Sequence, residues 1–258
     1  MLIKSDLNCD IGCVRQNNED IVLLGGELFR DKSQTLSFEI AENARFAAIV
    51  ADGMGGHNGG EIASEYAATF FSDFVMGLDS GLTEKEVTEK IKNWATIAHR
   101  NILKQGVENP EYEGMGTTFC GMLFYDNFVF AINIGDSRLY RFRNEILRQI
   151  STDHSMREYL NDSTLPSNQI YNSLGAGDSA YADVLNLSDQ IFNDDLFLIC
   201  SDGLCDMLSY EEIEQILLHE PTATKLVDAA KQAGGKDNVS VILLVVKEIN
   251  VVADNVPS

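Results

Sequence analysis

The 258-residue chain is poor in proline (4), histidine (4) and tryptophan (1), and its 19 basic residues face 40 acidic ones. A net charge of -21 leaves few cations from which to build a basic face, which argues against nucleic acid or an anionic membrane as partner. Long apolar runs are missing too. The longest, Phe46 to Ala51 and Val241 to Val246, fall far short of the ~20 residues a membrane-crossing helix needs. Met1 to Asp10 carries one lysine and two aspartates with no apolar stretch behind them, so it does not read as a secretory signal. Five cysteines (Cys9, Cys13, Cys120, Cys200, Cys205) make an odd set with no C-x-x-C pair. They read as reduced, mostly buried thiols of a cytoplasmic protein rather than as a disulfide framework or a thiolate metal site. What remains is 45% hydrophobic, enough for a sizeable core without staples.

No repeat or low-complexity tract divides the chain, so residues 1–248 are expected to form one domain, followed by a short polar tail over 249–258. Short runs rich in β-branched and aromatic residues predict strands at Ile21–Leu24, Arg45–Ala51, Thr117–Phe124, Phe128–Ile134, Arg138–Phe142, Leu196–Cys200 and Val239–Val246. Asp126-Asn127 and Arg143-Asn144-Glu145 read as hairpin turns between neighbours. Helical spacing is clearest over Glu84–Gln105, where Val87, Ile91, Trp94, Ala98 and Ile102 mark one apolar stripe behind a Thr83/Glu86 capping box. Further helices are expected over Glu61–Met76, Tyr210–His219 (behind Ser209 and Glu212) and Ala223–Ala233, the last stopped by Gly234-Gly235. Strands thus cluster as hairpins and helices come in pairs. The pattern suits an α+β fold, a β-sandwich of two antiparallel sheets with helices outside, better than alternating βαβ units.

The acids matter by position. Four apolar strands run into or out of an aspartate beside glycine or a small polar residue: Asp52-Gly53, Gly135-Asp136-Ser137, Ser201-Asp202-Gly203 and Asp237-Asn238. Any one of these is an ordinary turn former. Together they place several carboxylates at one rim of a sandwich, where repulsion is severe unless some are protonated or a cation sits among them. With no His or Cys at metal-ligand spacing, the ion expected is Mg²⁺ or Mn²⁺ rather than Zn²⁺. The glycines between Gly53 and Gly60 would let backbone approach such an ion or a phosphate, yet no Gly-Lys-Ser/Thr or dinucleotide fingerprint is present. Arg15, ahead of Glu19 and Asp20, is either one arm of a surface ion pair or a planar fork for a phosphate.

Seven blocks in order, Asp10-x-Gly-x-x-Arg15-x-x-Asn18-Glu19-Asp20, Val50-Ala-Asp52-Gly-Met-Gly-Gly-His57, Gly116-Thr-Thr118, Gly135-Asp-Ser-Arg138, Asp153-His-Ser155, Ser201-Asp-Gly203 and Asp237-Asn-Val239, resemble those of type 2C, metal-dependent Ser/Thr protein phosphatases in their bacterial form. The resemblance spans roughly residues 5 to 247 and implies a four-layer αββα sandwich. It implies that Asp52 bridges two Mn²⁺ or Mg²⁺ ions, that the Gly53 carbonyl ligates the second, and that Asp202 and Asp237 complete the first. Asp136 would help hold a weaker third ion, Glu19 and Asp20 would hold metal-bound waters, and Arg15 would grip the substrate phosphate. Asp52 and Asp20 are thereby the residues expected at the chemistry. Two departures stand out. Met54 occupies the place where many eukaryotic relatives carry a general-acid histidine, leaving the proton donor open between His57 and a metal-held water. The flap, Met156 to Ala182, looks short and carries Leu174-Gly-Ala-Gly177 after Asn172-Ser173 where an arginine is common.

The reaction so implied is direct attack of a metal-bridging water on phosphoserine or phosphothreonine, with no phosphoenzyme and no role for the cysteines. Phosphorylated proteins are then the substrates, and a Ser/Thr kinase is a natural partner by family analogy alone. Two alternatives share the same ligands: a silent phosphoprotein-binding module and a hydrolase of small phosphoesters.

Overall fold

The computed structural model describes residues 1–41, 43–55, 59–166 and 169–248. His57, one of the two proton-donor candidates, and the tail over 249–258 lie outside the described residues. The first sheet runs in the order β10 (Ile146–Gln149), β9 (Arg138–Arg143), β12 (Leu196–Cys200), β13 (Val239–Glu248), β1 (Leu2–Asp10) and β4 (Lys32–Glu39). The second runs β11 (Asp183–Asn186), β8 (Phe128–Ile134), β7 (Phe119–Tyr125), β5 (Arg45–Met54), β2 (Asp20–Leu24) and β3 (Glu27–Phe29), with β6 (Gly116–Thr117) paired to the end of β5. Neighbours are antiparallel throughout.

Three apolar layers follow from strand alternation. Along β5, Phe46, Ala48 and Val50 face the other sheet, while Ala47, Ile49 and Ala51 face outward under α1 (Gly59–Met76) and α2 (Glu84–Glu108). On β12, Phe197 and Ile199 point inward, and Leu196, Leu198 and Cys200 meet the helices that follow short α3 (Met156–Leu160) in the chain: α4 (Asp202–Cys205), α5 (Tyr210–His219) and α6 (Ala223–Gln232). Both faces of these strands are buried, which is why they read as unbroken apolar runs. The result is the four-layer αββα sandwich that the helix pairing and the family resemblance imply. Both expected capping boxes form, Thr83 with Glu86 and Ser209 with Glu212. Both hairpin turns use left-handed backbone, at Asp126 in one and at Asn144 and Glu145 in the other.

Five strands lie outside the expected set: β3, β10 and β11, short strands at sheet edges, and the longer β1 and β4. In β1, Ile3, Leu7 and Cys9 join the inter-sheet core, but the alternate positions are polar because they serve the helix side: Asp6 Oδ2 accepts the Ala223 amide at the start of α6, at 2.8 Å. Edge strand β4 turns only Leu36 and Phe38 toward the core and leaves the rest exposed, as an edge that must not recruit another strand requires. The expected run Thr117–Phe124 splits at Thr118, whose side chain turns away to serve β5. Among the described residues, no helix is long and apolar enough to cross a membrane.

Asp195, just ahead of β12, is 1% exposed and is held by both Nε and Nη2 of Arg143, with the Phe192 amide on Oδ2 at 2.8 Å. Arg143→Ala strands that carboxylate inside the protein, an expected loss of about 3 kcal/mol read from the urea midpoint. Arg143→Lys recovers only part of it, lacking the planar fork. An unchanged midpoint for the alanine variant would remove the pair from the account of stability.

Candidate active site

At one rim of the sandwich, strand ends and the loops after them converge on an open cleft of about 250 Å³ lined by Arg15, Glu19, Asp52, Gly53, Asp136, Asp202 and Asp237, together with Met54, Gly55, Thr118 and Ile170. Of the expected site residues that are described, Asp20 alone is absent from this lining. It lies fully buried on β2, directly across the ladder from Asp52 on β5. Glu19 and Asp20 therefore part ways: one joins the wall, the other lies beneath it.

Local backbone explains the placement. Asp52 sits where β5 exchanges bonds with the Thr117-Thr118 segment: its amide donates to Thr118 Oγ1 at 3.0 Å, and its carbonyl accepts the Thr118 amide and Thr117 Oγ1, both at 2.9 Å. Its side chain is left free to face the cleft. The Gly53 amide donates to the Glu19 carbonyl at 3.2 Å, and Ser64 Oγ of α1 donates to the same carbonyl at 2.6 Å. A Cβ on Gly53 would stand 2.1 Å from the Gly60 carbonyl oxygen, so only glycine lets α1 approach this closely. Asn238 ties the N-terminal loop to the opposite sheet, its Nδ2 donating to the carbonyls of Ile11 and Asn17 at 3.0 Å and its Oδ1 accepting the Glu19 amide at 2.8 Å. Gly203 passes so near Asn238 that an added Cβ would lie 1.9 Å from its carbonyl oxygen. Gly203→Ala must push apart the two loops bearing Asp202 and Asp237, an expected cost of about 3 kcal/mol visible as a lowered melting temperature. A variant melting with the parent would show that these loops are not locked.

Electrostatically the cleft is strained by its own acids. Burial pushes the Asp20 carboxyl up to about 7, against bonds from Ser240 and Ser201 that pull it down, with Asp202 and Asp237 adding to the rise. Burial, then Asp206 and Asp237, raise Asp202 to about 6. Burial, then Asp202 and Asp153, raise Asp136 to about 8. Asp52 is driven well above the usual carboxylate range by burial and by Asp20, Asp202, Asp136 and Asp237 around it. Glu19 is raised chiefly by burial.

Among the described residues, no three His, Cys, Asp or Glu side chains close into a ready-made metal cage. The side chains show why. The carboxyls of Asp52 and Asp202 press on one another, a conflict that a proton on either, or a cation between them, would relieve. Asp237 is turned to Arg15, whose Nη2 donates to Oδ2 at 2.6 Å, so the residue expected to grip phosphate and the residue expected to ligate metal neutralise one another. A guanidinium thus stands in for missing positive charge. One buried oxygen, Asp20 Oδ1, has no hydrogen-bond partner at all among the described residues. An all-oxygen donor set, carboxyls raised by one another and an orphaned carboxylate oxygen together fit hard divalent cations.

Sequence reasoning assigned no role to Thr118, Ser201 or Ile170. Ser201 Oγ donates to Asp20 Oδ2 at 2.8 Å and accepts the Ser240 amide at 3.0 Å, and Thr118 Oγ1 meets Ser137 Oγ at 2.7 Å. Thr118 and Ser201 stood inside the quoted blocks, so a signal existed. Ile170 belongs to the variable flap and had none.

Comparison with known proteins agrees with this architecture. The protein phosphatase 2C pattern matches residues 25–243. Protein phosphatase PhpP of Streptococcus pneumoniae is 34% identical over 254 residues, covering 93% of this chain and 96% of that protein. The serine/threonine phosphatase of S. agalactiae superposes with a TM-score of 0.80 at 27% identity, covering 95% of this chain and 100% of that one. The catalytic domain of the phosphatase PstP, solved in complex with two manganese ions, superposes with a TM-score of 0.74 at 29% identity over 96% of this chain and all of its own. A pattern that runs from the turn after β2 into β13 takes in strands of both sheets and most of the chain, and the chain accordingly belongs to the protein phosphatase 2C family.

Proposed function

We propose that this chain works over residues 1–248 as a metal-dependent protein phosphatase, removing phosphate from phosphoserine and phosphothreonine in proteins. The observation that carries the reading is the convergence of Asp52, Asp136, Asp202 and Asp237 on one cleft above buried Asp20, their carboxyls raised by burial and by one another, with Arg15 paired to Asp237. Asp52 would bridge two Mn²⁺ or Mg²⁺ ions with the Gly53 carbonyl on one and Asp202 and Asp237 on the other. Asp136 would join Asp202 at a weaker third position, and Glu19 with buried Asp20 would orient the surrounding water. When bound, such ions supply an activated water for in-line attack on phosphorus and neutralise charge on the transferred group.

The chain's own residues do the rest. Arg15 is half-exposed at the mouth, held by Asp237 at a single nitrogen. With Asp237 among the residues that would hold a cation, the Arg15 guanidinium would be free to take phosphate oxygens in its planar fork. Asp20, anchored by Ser201, keeps a fixed acceptor beneath Asp52. Ile170 gives the flap an apolar contact beside the phosphorylated residue. Two manganese ions in the PstP structure support this metal class. Phosphorylated proteins are the substrates on this reading and a Ser/Thr kinase the opposing partner, while five unpaired thiols suit the reducing cytoplasm.

Purified protein is assayed on para-nitrophenyl phosphate and on a phosphothreonine peptide, with Mn²⁺ and with chelator. Turnover that needs Mn²⁺ and favours the peptide over sugar and nucleotide phosphates is the expected result. Metal-independent turnover, or none, would defeat the reading.

A further inference from the structure

His154 follows β10 and opens the flap, 1% exposed and behind the cleft rather than in it. Its bonds run in both directions. Toward the centre, its amide donates to the Gly135 carbonyl at 2.9 Å, and its ring Nδ1 accepts the Gly135 amide at 3.2 Å, so both polar backbone groups of the residue before Asp136 are bound to one side chain and its own main chain. Asn133 Nδ2 adds a bond to the same carbonyl at 3.2 Å. Toward the flap, its carbonyl accepts the Tyr171 amide at 2.9 Å, and Nδ1 also takes Asn172 Nδ2 at 2.6 Å. The Asn172 amide is oriented by Tyr181, whose carbonyl accepts from Nδ2 at 2.9 Å and whose amide donates to Oδ1 at 3.1 Å. Tyr171 and Tyr181 flank the imidazole, with ring centroids 5.7 and 5.0 Å away.

Two N–H donors converge on Nδ1, so that nitrogen carries no proton and the ring is fixed as the Nε2–H tautomer, with Nε2 3.2 Å from Asp183 Oδ2 on β11. Gly135 has φ +104, a conformation L side chains rarely adopt, and its amide would have no such anchor without the ring. The flap is registered by the same residue: Ser155 bridges Ile170, the flap residue that lines the cleft.

We infer that His154 is a positioning residue, its Nδ1 fixing Gly135 and hence Asp136 at the weakest cation position while tying that position to the flap segment carrying Ile170. The inference rests on the proposed role of Asp136, and its test separates the two. Mn²⁺ binding is measured by isothermal titration calorimetry and by the electron paramagnetic resonance signal of free Mn²⁺, so the readout does not depend on turnover. In His154→Asn the Oδ1 falls near the place of Nδ1 and can still accept the Gly135 amide; in His154→Gln the polar end lies near Nε2 instead. His154→Gln is expected to weaken the weakest Mn²⁺ site at least about fivefold and leave the tighter binding within about twofold, and His154→Asn to stay within about twofold throughout. Gln and Asn variants indistinguishable from each other, whether both unchanged or both weakened in step with melting temperature, would reduce His154 to packing. Should the variants not fold, the imidazole nitrogen spectrum of ¹⁵N-labelled native protein decides: a proton on Nδ1 near neutral pH overturns the inference, and the Nε2–H pattern upholds it. A native protein that binds no Mn²⁺ would instead bring down the proposed function.

Discussion

Asp52→Asn lowers Mn²⁺-dependent turnover of a phosphothreonine peptide by at least about a thousandfold and, in the same protein, raises the melting temperature measured without metal. The two effects have one cause. Asp52 is driven well above the ordinary carboxylate range by burial and by four aspartates around it, so in the absence of cations its charge opposes folding. The amide removes that charge and, with it, the ligand that is expected to bridge two ions. Strand β5 is untouched, because the bonds holding residue 52 to Thr117 and Thr118 run through its backbone. The melting measurement is therefore the control that the loss of turnover is chemical. An Asn variant that loses activity and also melts earlier would show Asp52 to be a structural residue, and one that keeps a tenth of parental turnover would remove it from the chemistry.

Chelation is expected to abolish turnover and to make stability fall with pH in a way that Mn²⁺ prevents. Asp202, Asp20 and Asp136 are raised to about 6, 7 and 8 in the folded protein, whereas an unfolded aspartate titrates near 3.8. For an acid raised on folding, the folded state holds its proton more tightly, so the contribution to stability is complete below the unfolded value and is lost as pH climbs through the folded one. The metal-free protein should thus melt progressively earlier from pH 5 to pH 8, the window those values set. Divalent ions replace the protons, so the gain in melting temperature on adding Mn²⁺ should be larger at pH 8 than at pH 5. Thermal scans at both pH values, with and without metal, check this. Equal shifts at the two would mean that the ions bind without displacing protons from the cluster.

The sheets were legible wherever a strand is buried on both sides, as in β5, β12 and β13, since no polar residue interrupts the run. β1 and β4 were not, for a physical reason. The alternate positions of β1 face and brace α6, most of β4 faces solvent, and their residues are chosen for those tasks. At the site, glycine-flanked acids at strand ends identified the carboxylates that line the cleft, but the sequence pattern says nothing of charge state. The pairing of Arg15 with Asp237 is a consequence of which cations are present rather than of spacing along the chain. His154 sat in a quoted block without a role because its partners are the Gly135 backbone and the side chains of Asn172 and Asp183, 18 and 29 residues further on, which no local spacing connects.

The position of β1 has a further consequence, for the order in which the molecule comes into being. β1 is an inner strand, and one of its two neighbours is β13, the furthest along the chain of the described strands, with Leu2 opposite Glu248 and Asp10 opposite Val239. While the chain is still emerging from the ribosome, β1 can pair with β4 alone, and the first sheet stays open until β13 arrives. The loop after β1 is stitched to the segment before β13 by the Cys13 amide on the Gly235 carbonyl at 2.8 Å, so the acids on either side of that seam meet only after β13 has been made. A nascent chain that has not yet made β13 holds no assembled cleft, and hydrolytic power waits on the pairing of that strand with β1.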